Sequence, residues 1–130
     1  MAVKLNQVHH VAIICSDYGH SLSFYRDILG LEVQLETYRA ERDSYKADLT
    51  LNGHYIIELF SFPSTPARPS YPEACGLRHL AFEVSDMDET IRVLKEKDVA
   101  YEPIRTDEIT GKKFTFIADP DGLPIEFYAK

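Results

Sequence analysis

A chain of 130 residues with 45% apolar and 27% charged residues has the size and balance of one globular domain, in which about two-thirds of the unfolded surface can be buried. Its formal charge of −7 speaks against general affinity for nucleic acid or anionic membrane, and no apolar run approaches the roughly 18 residues of a membrane span. With no signal-peptide pattern and only Cys15 and Cys75, both expected as free thiols, a cytoplasmic location is expected.

Residues 8–15 (VHHVAIIC) run almost wholly apolar, as a buried strand does. Ser16 is predicted to cap a helix whose apolar positions Leu22, Tyr25 and Leu29 recur at three- and four-residue steps until Gly30 stops it. Residues 31–39 and 43–51 read as strands. In the second of these Tyr45, Ala47, Leu49 and Leu51 alternate, and Asn52-Gly53 signals a hairpin into a fourth strand, residues 54–62. Pro63, Pro66, Pro69 and Pro72, spaced by three, mark a stiff linker. The order then repeats: strand 77–84, cap Ser85, helix 86–98, strands 101–105 and 113–118, a turn at 119–122 and strand 124–128. One domain spanning 1–130 thus divides into a first module of about 6–62, a linker of about 63–75 and a second module of about 76–130.

At an offset of 69 the halves coincide at His10/His79, Ala12/Ala81, Ser16/Ser85 and Asp17/Asp86, with apolar pairs at Val8/Leu77, Val11/Leu80, Ile13/Phe82 and Leu22/Ile91. Each copy opens with a histidine inside an apolar strand and closes with a glutamate inside another. His10 and Glu58 are 48 positions apart, His79 and Glu126 47. Because side chains alternate across a strand, Val11, Ile13, Ile57, Leu59, Leu80, Phe82, Ile125 and Phe127 present apolar faces for the helices to cover. His10, Glu58, His79 and Glu126 point the other way, while His9 by the same parity faces the helices as a structural residue. Glutamates buried between apolar neighbours are unfavourable without a partner, and a divalent cation relieves that cost. His10, Glu58, His79 and Glu126 are therefore expected to bind one divalent ion per site. The set suits zinc or nickel first, then cobalt, manganese or iron(II).

The βαβββ repeats, together with FYRDILGLEV at 24–33, GLRHLAFEV at 76–84 and DPDGLPIEFY at 119–128, resemble the vicinal oxygen chelate superfamily of glyoxalases, resistance proteins and ring-cleaving dioxygenases. Within it the likeness is to small YaeR-like glyoxalase-family proteins. The resemblance implies an α+β fold of two tandem βαβββ modules forming a curved mixed sheet, with helices on the convex face and the metal on the concave face. It also implies a homodimer, and Glu126 as the catalytic proton carrier while Glu58 stays bound. The implied activity is that of a metal-dependent glyoxalase-like lyase or isomerase, acting by proton transfer through a metal-bound enediolate. A non-haem iron dioxygenase and a ligand-sequestering resistance protein are the alternatives. Glutathione-dependent members carry arginine and asparagine four residues after the first and second ligands, where this chain has Ile14 and Phe62. That departure speaks against lactoylglutathione lyase activity, because a polar cosubstrate would lack polar partners.

The expected partner is a small oxygenated anion. Arg39, Arg42 and Lys46, on or between the second and third strands, and Arg105 and Lys113 in the second half are candidates to hold its carboxylate or phosphate. Phe60 and Tyr128 are candidates for the pocket wall.

Overall fold

The first strand, β1 (Val11–Cys15), turns at Asp17 into α1 (Tyr18–Ser23) in a computed structural model that describes residues 1–130. The Asp17 carboxylate accepts the His20 N–H at 3.1 Å, so the cap lies one residue beyond the predicted Ser16. Phe24–Ile28 then widens into a π turn, with the Leu29 N–H bonded to the Phe24 carbonyl at 3.2 Å. Phe24 and Tyr25 of this turn are both buried. β2 (Glu32–Arg39), β3 (Ser44–Leu51) and β4 (His54–Ser61) follow. Asn52 and Gly53 both take positive φ, 51° and 81°, the tight hairpin turn the sequence signals. The sheet order is β1-β4-β3-β2, with β1 parallel to β4 and the other pairs antiparallel. Ala47, Leu49, Ile57 and Leu59 are fully buried on one face, and Leu22 and Tyr25 of the helical segment are buried with them.

The second unit repeats the plan with β5 (Leu80–Val84), α2 (Met87–Glu96), β6 (Arg105–Thr106), β7 (Lys113–Ala118) and β8 (Pro124–Ala129), ordered β5-β8-β7-β6. The division between the units falls after Pro66, inside the proline-spaced linker. Two four-stranded mixed sheets with a helix each make an α+β fold of tandem modules. The cap of α2 is Asp86, whose carboxylate accepts the Glu89 N–H at 3.0 Å, in place of the predicted Ser85. Asp86→Ala is expected to lower stability by about 1 kcal/mol in urea denaturation, because one N-terminal N–H of α2 loses its acceptor. No helix is long and apolar enough to cross a membrane.

Three predicted strands are shorter than expected. The strand predicted over 101–105 contracts to Arg105–Thr106, since Pro103 has no N–H for the ladder; a single bond from the Glu102 N–H to the Phe116 carbonyl, 3.0 Å, continues it. β1 and β5 begin at Val11 and Leu80, so His10 and His79 stand immediately before their strands and not within them. Leu80 lies opposite Ile125, which leaves His79 beside Pro124, again without an N–H to offer. His10 falls beside Ile56, a residue with no partner on β3: the register steps from Leu49↔Ile57 to Thr50↔Tyr55.

Candidate metal centre

That step at Ile56 is a β-bulge, and it sets the geometry of the first unit's polar face. One extra residue in β4 reverses the alternation beyond it. Tyr55, which parity would send to the helix side with Ile57, instead points to the side of Glu58. Its ring stacks on His10 with centroids 4.9 Å apart and planes at 20°. Its hydroxyl lies 3.0 Å from Asp48 Oδ1 and 3.2 Å from Glu58 Oε2, sharing one proton between two carboxylates. Burial and the Asp48 hydrogen bond push the phenol well above its usual pKa, so the group acts as a donor. Asp48 sits directly across from Glu58 on β3. Between them, Lys46 Nζ reaches Asp48 Oδ1 at 3.2 Å and Glu58 Oε2 at 3.3 Å. Burial opposes the charge on Lys46, but the hydrogen bonds to Asp48 and Glu58 more than offset it and hold the ammonium above the ordinary lysine range.

The remaining oxygen, Glu58 Oε1, faces His10 Nε2 at 3.6 Å. The other nitrogen of His10 is engaged as well: His9 Nδ1 and His10 Nδ1 are 2.8 Å apart, and the His9 ring packs edge-on to both His10 and Tyr55. His9 is therefore an exposed neighbour of the site and not a helix-side residue, because both histidines precede the strand and escape its parity.

In the second unit His79 Nε2 faces Glu126 Oε1 at 3.3 Å. The surroundings differ. Phe116 lies directly across from Glu126 on β7, where Asp48 lies across from Glu58, and its ring meets His79 edge-on at 5.1 Å. Phe114 stands where Lys46 stands in the first unit, opposite Tyr128 as Lys46 is opposite Phe60. Glu126 has His79 as its one close polar partner, and His79 Nδ1 is buried with none. A cavity of about 420 Å³ in this unit is walled by Phe116, Pro124, Tyr71 and Tyr101, with Arg68 and Arg78 on its lining; neither His79 nor Glu126 lines it.

Of the residues predicted to meet substrate, five lie on these polar faces. Arg39 spreads over Phe60 and Phe62, 4.6 and 5.8 Å from the ring centroids, and donates to Ser44 Oγ at 2.8 Å. Arg105 repeats the arrangement over Phe114 and Phe116 at 5.1 and 5.6 Å. Lys46 is in the cluster described above, and Tyr128 stacks on Phe114 and donates to Asp107 Oδ2 at 2.9 Å. Arg42 is exposed in the turn before β3, and Lys113 is exposed at the start of β7 with parity opposite to Phe114; neither is brought to the others. Ile14, 55% exposed, lies beside Phe60 on β1, so the position that carries an arginine in glutathione-dependent relatives is an apolar shelf here. Sequence reasoning passed over Asp48 and Tyr55. The alternation of Tyr45, Ala47 and Leu49 was enough to put Asp48 on the polar face; nothing local marked the bulge that turns Tyr55.

The donor set of each pair fits a divalent ion. An imidazole nitrogen and a carboxylate oxygen that share a cation at bonds of about 2.0–2.2 Å stand about 2.8–3.6 Å apart at octahedral to tetrahedral angles. The two pairs, at 3.6 and 3.3 Å, match that spacing. Each unit supplies a pair, and neither gathers three metal-binding groups by itself.

The fold is an α+β repeat of two units with one His/Glu pair in each, and sequence comparison gives its family. The chain belongs to the Glyoxalase/Bleomycin resistance protein/Dioxygenase superfamily, whose family model matches residues 7–127. It is 60% identical over 124 residues to the YaeR protein of Escherichia coli strain K12, covering 95% of this chain and 96% of YaeR. It is 30% identical over 125 residues to the metallothiol transferase FosB of Staphylococcus haemolyticus, covering 93% of this chain and 81% of FosB. The crystal structure of a glyoxalase family protein from Enterococcus faecalis matches with a TM-score of 0.87 at 49% identity, covering 94% of this chain and 96% of that one.

Proposed function

We propose that the protein is a metal-dependent, glyoxalase-like lyase or isomerase that moves a proton on a small oxygenated anion. The observation that carries this reading is the unequal holding of two equivalent glutamates. Glu58 has one oxygen bound by Lys46 and Tyr55, whereas Glu126 is tied only to His79.

His10, Glu58, His79 and Glu126 would hold the ion, zinc or nickel before cobalt, manganese or iron(II). The full set takes one pair from each unit, contributed by one chain or by two copies in a homodimer. When bound, the ion would supply a Lewis acid to the substrate's oxygens. The chain's own residues do the rest. Glu58 keeps its place because its second oxygen is occupied. Glu126 is free to turn, so its carboxylate takes the proton from the carbon beside a carbonyl and returns it at the neighbouring position. Phe114 and Phe116 flank that carboxylate and keep competing water from it. Lys46, Arg39 and Arg105 place three cations on the same faces for an anionic group. The Ile14, Phe60 and Phe62 side chains form a shelf with Arg39 over its rings, which suits a compact anionic substrate. Similarity to FosB, a metallothiol transferase by name, supports metal use.

Two measurements test the reading. In protein purified without chelator, elemental analysis is expected to find about one zinc, nickel or cobalt per chain, the metals that do Lewis-acid work, and to find it absent from a His10→Ala/Glu126→Ala protein. In D₂O, the loaded protein is expected to exchange the proton beside the carbonyl of an α-oxo or α-hydroxy acid, followed by NMR across a panel of such acids. Iron with oxygen uptake would make the protein a dioxygenase instead. Absence of metal, with the double variant folded as the parent, would leave a ligand-binding module.

A further inference from the structure

The repeat gives an internal control, because equivalent positions carry different residues around equivalent pairs. Lys46 and Asp48 in the first unit stand where the second has Phe114 and Phe116, and Tyr55, opposite Thr50, stands where the second has Pro124, opposite Ala118. The first pair is thereby held from several directions. Lys46 and Tyr55 take one oxygen of Glu58 and leave the other toward His10. The Tyr55 ring lies flat on the His10 imidazole, and His9 engages the Nδ1 of His10, which leaves Nε2 as the nitrogen turned to Glu58. None of these restraints acts on Glu126, and His79 Nδ1 has no partner at all.

We propose that Tyr55, aimed by the bulge at Ile56 and working with Lys46 and Asp48, is a positioning residue that fixes His10 and Glu58 in ligating geometry, so that the first pair sets the affinity of the site for its cation. The proposal rests on the reading that His10 and Glu58 bind a divalent ion. Its physical basis is that groups behind the direct ligands limit their rotation, so that binding need not order them, and loss of such a group typically weakens metal binding about 10- to 100-fold. The bulge has a role in this: were Ile56 paired in regular alternation, Tyr55 would sit on the helix side with Ile57 and Glu58 would lose its hydroxyl donor.

The test uses Co²⁺ as the probe, with affinity read by competition against a chelator and coordination read from the visible d–d absorption. Tyr55→Phe keeps the ring over His10 and deletes the hydroxyl; Tyr55→Leu removes the hydroxyl and the ring together. Thermal unfolding of the metal-free proteins establishes that all are folded. The proposal expects Tyr55→Phe to raise the Co²⁺ Kd about tenfold and Tyr55→Leu to approach about a hundredfold, both with an altered d–d band. If Glu58→Gln weakens Co²⁺ binding while both Tyr55 variants keep the parent affinity and spectrum, Tyr55 is not a positioning residue, and the metal reading stands without it. If the parent protein itself binds no Co²⁺, the metal reading fails and the proposal fails with it.

Discussion

Glu126→Gln is expected to keep a bound divalent ion and lose turnover by about two to four orders of magnitude, the range that a positioned acid–base group contributes. Glutamine has nearly the shape of glutamate but cannot accept and return a proton. Three ligands would remain, His10, Glu58 and His79, and three protein ligands with an open position are a common form of catalytic metal site. Glu58→Gln is expected to behave in the opposite way, with the larger loss in metal content. The amide would place an NH₂ or a neutral oxygen against Lys46 and Tyr55, and the half-buried Lys46 ammonium would keep only Asp48 as a charged partner. Elemental analysis and solvent-deuterium exchange on the same preparations separate the two variants. Equal losses of metal in both, with activity following metal content, would show that the glutamates are interchangeable ligands and that the proton carrier lies elsewhere.

Ile57→Ala is expected to destabilise the protein by about 2–5 kcal/mol in denaturant unfolding, with a fall in melting midpoint of roughly 8–20 °C. Ile57 is fully buried in β4, between β1 and β3, and Leu49, its antiparallel partner, is fully buried too. Two flanking strands and a helical layer leave little freedom to collapse around a deleted side chain, so the cavity persists. Total stabilities of single domains are only about 5–15 kcal/mol, which makes this a large fraction. Ile14→Ala, on the opposite face of β1 and 55% exposed, is expected to change stability by less than about 0.5 kcal/mol. A comparable loss at the two positions would mean that the Ile14 shelf is also covered in solution.

Much of the frame was legible before any coordinates. The offset of 69 located two copies of one unit, and alternation assigned Ile13, Ile57, Leu59, Ile125 and Phe127 to buried faces, where they are found. The same alternation set Glu58 and Glu126 against those faces. Asn52-Gly53 fixed a hairpin turn because both residues tolerate positive φ. These signals share a cause: each depends on a period or a dihedral preference that acts within a few residues.

The errors and omissions have the opposite character. Ser16 and Asp17 are both good caps, as are Ser85 and Asp86, and which side chain reaches the first free N–H depends on where the preceding strand ends. His9 was assigned a side by a parity that does not extend beyond Val11.

By itself, then, the sequence determined the repeat and the alternating faces of the strands, because local chemistry and periodicity suffice for those. Only the tertiary structure decided what stands behind each pair. Lys46, Asp48 and Tyr55 gather on Glu58, and Phe114 and Phe116 on Glu126, through strand register and a single unpaired residue at Ile56. Register is a property of two strands brought together, and no one segment encodes it alone.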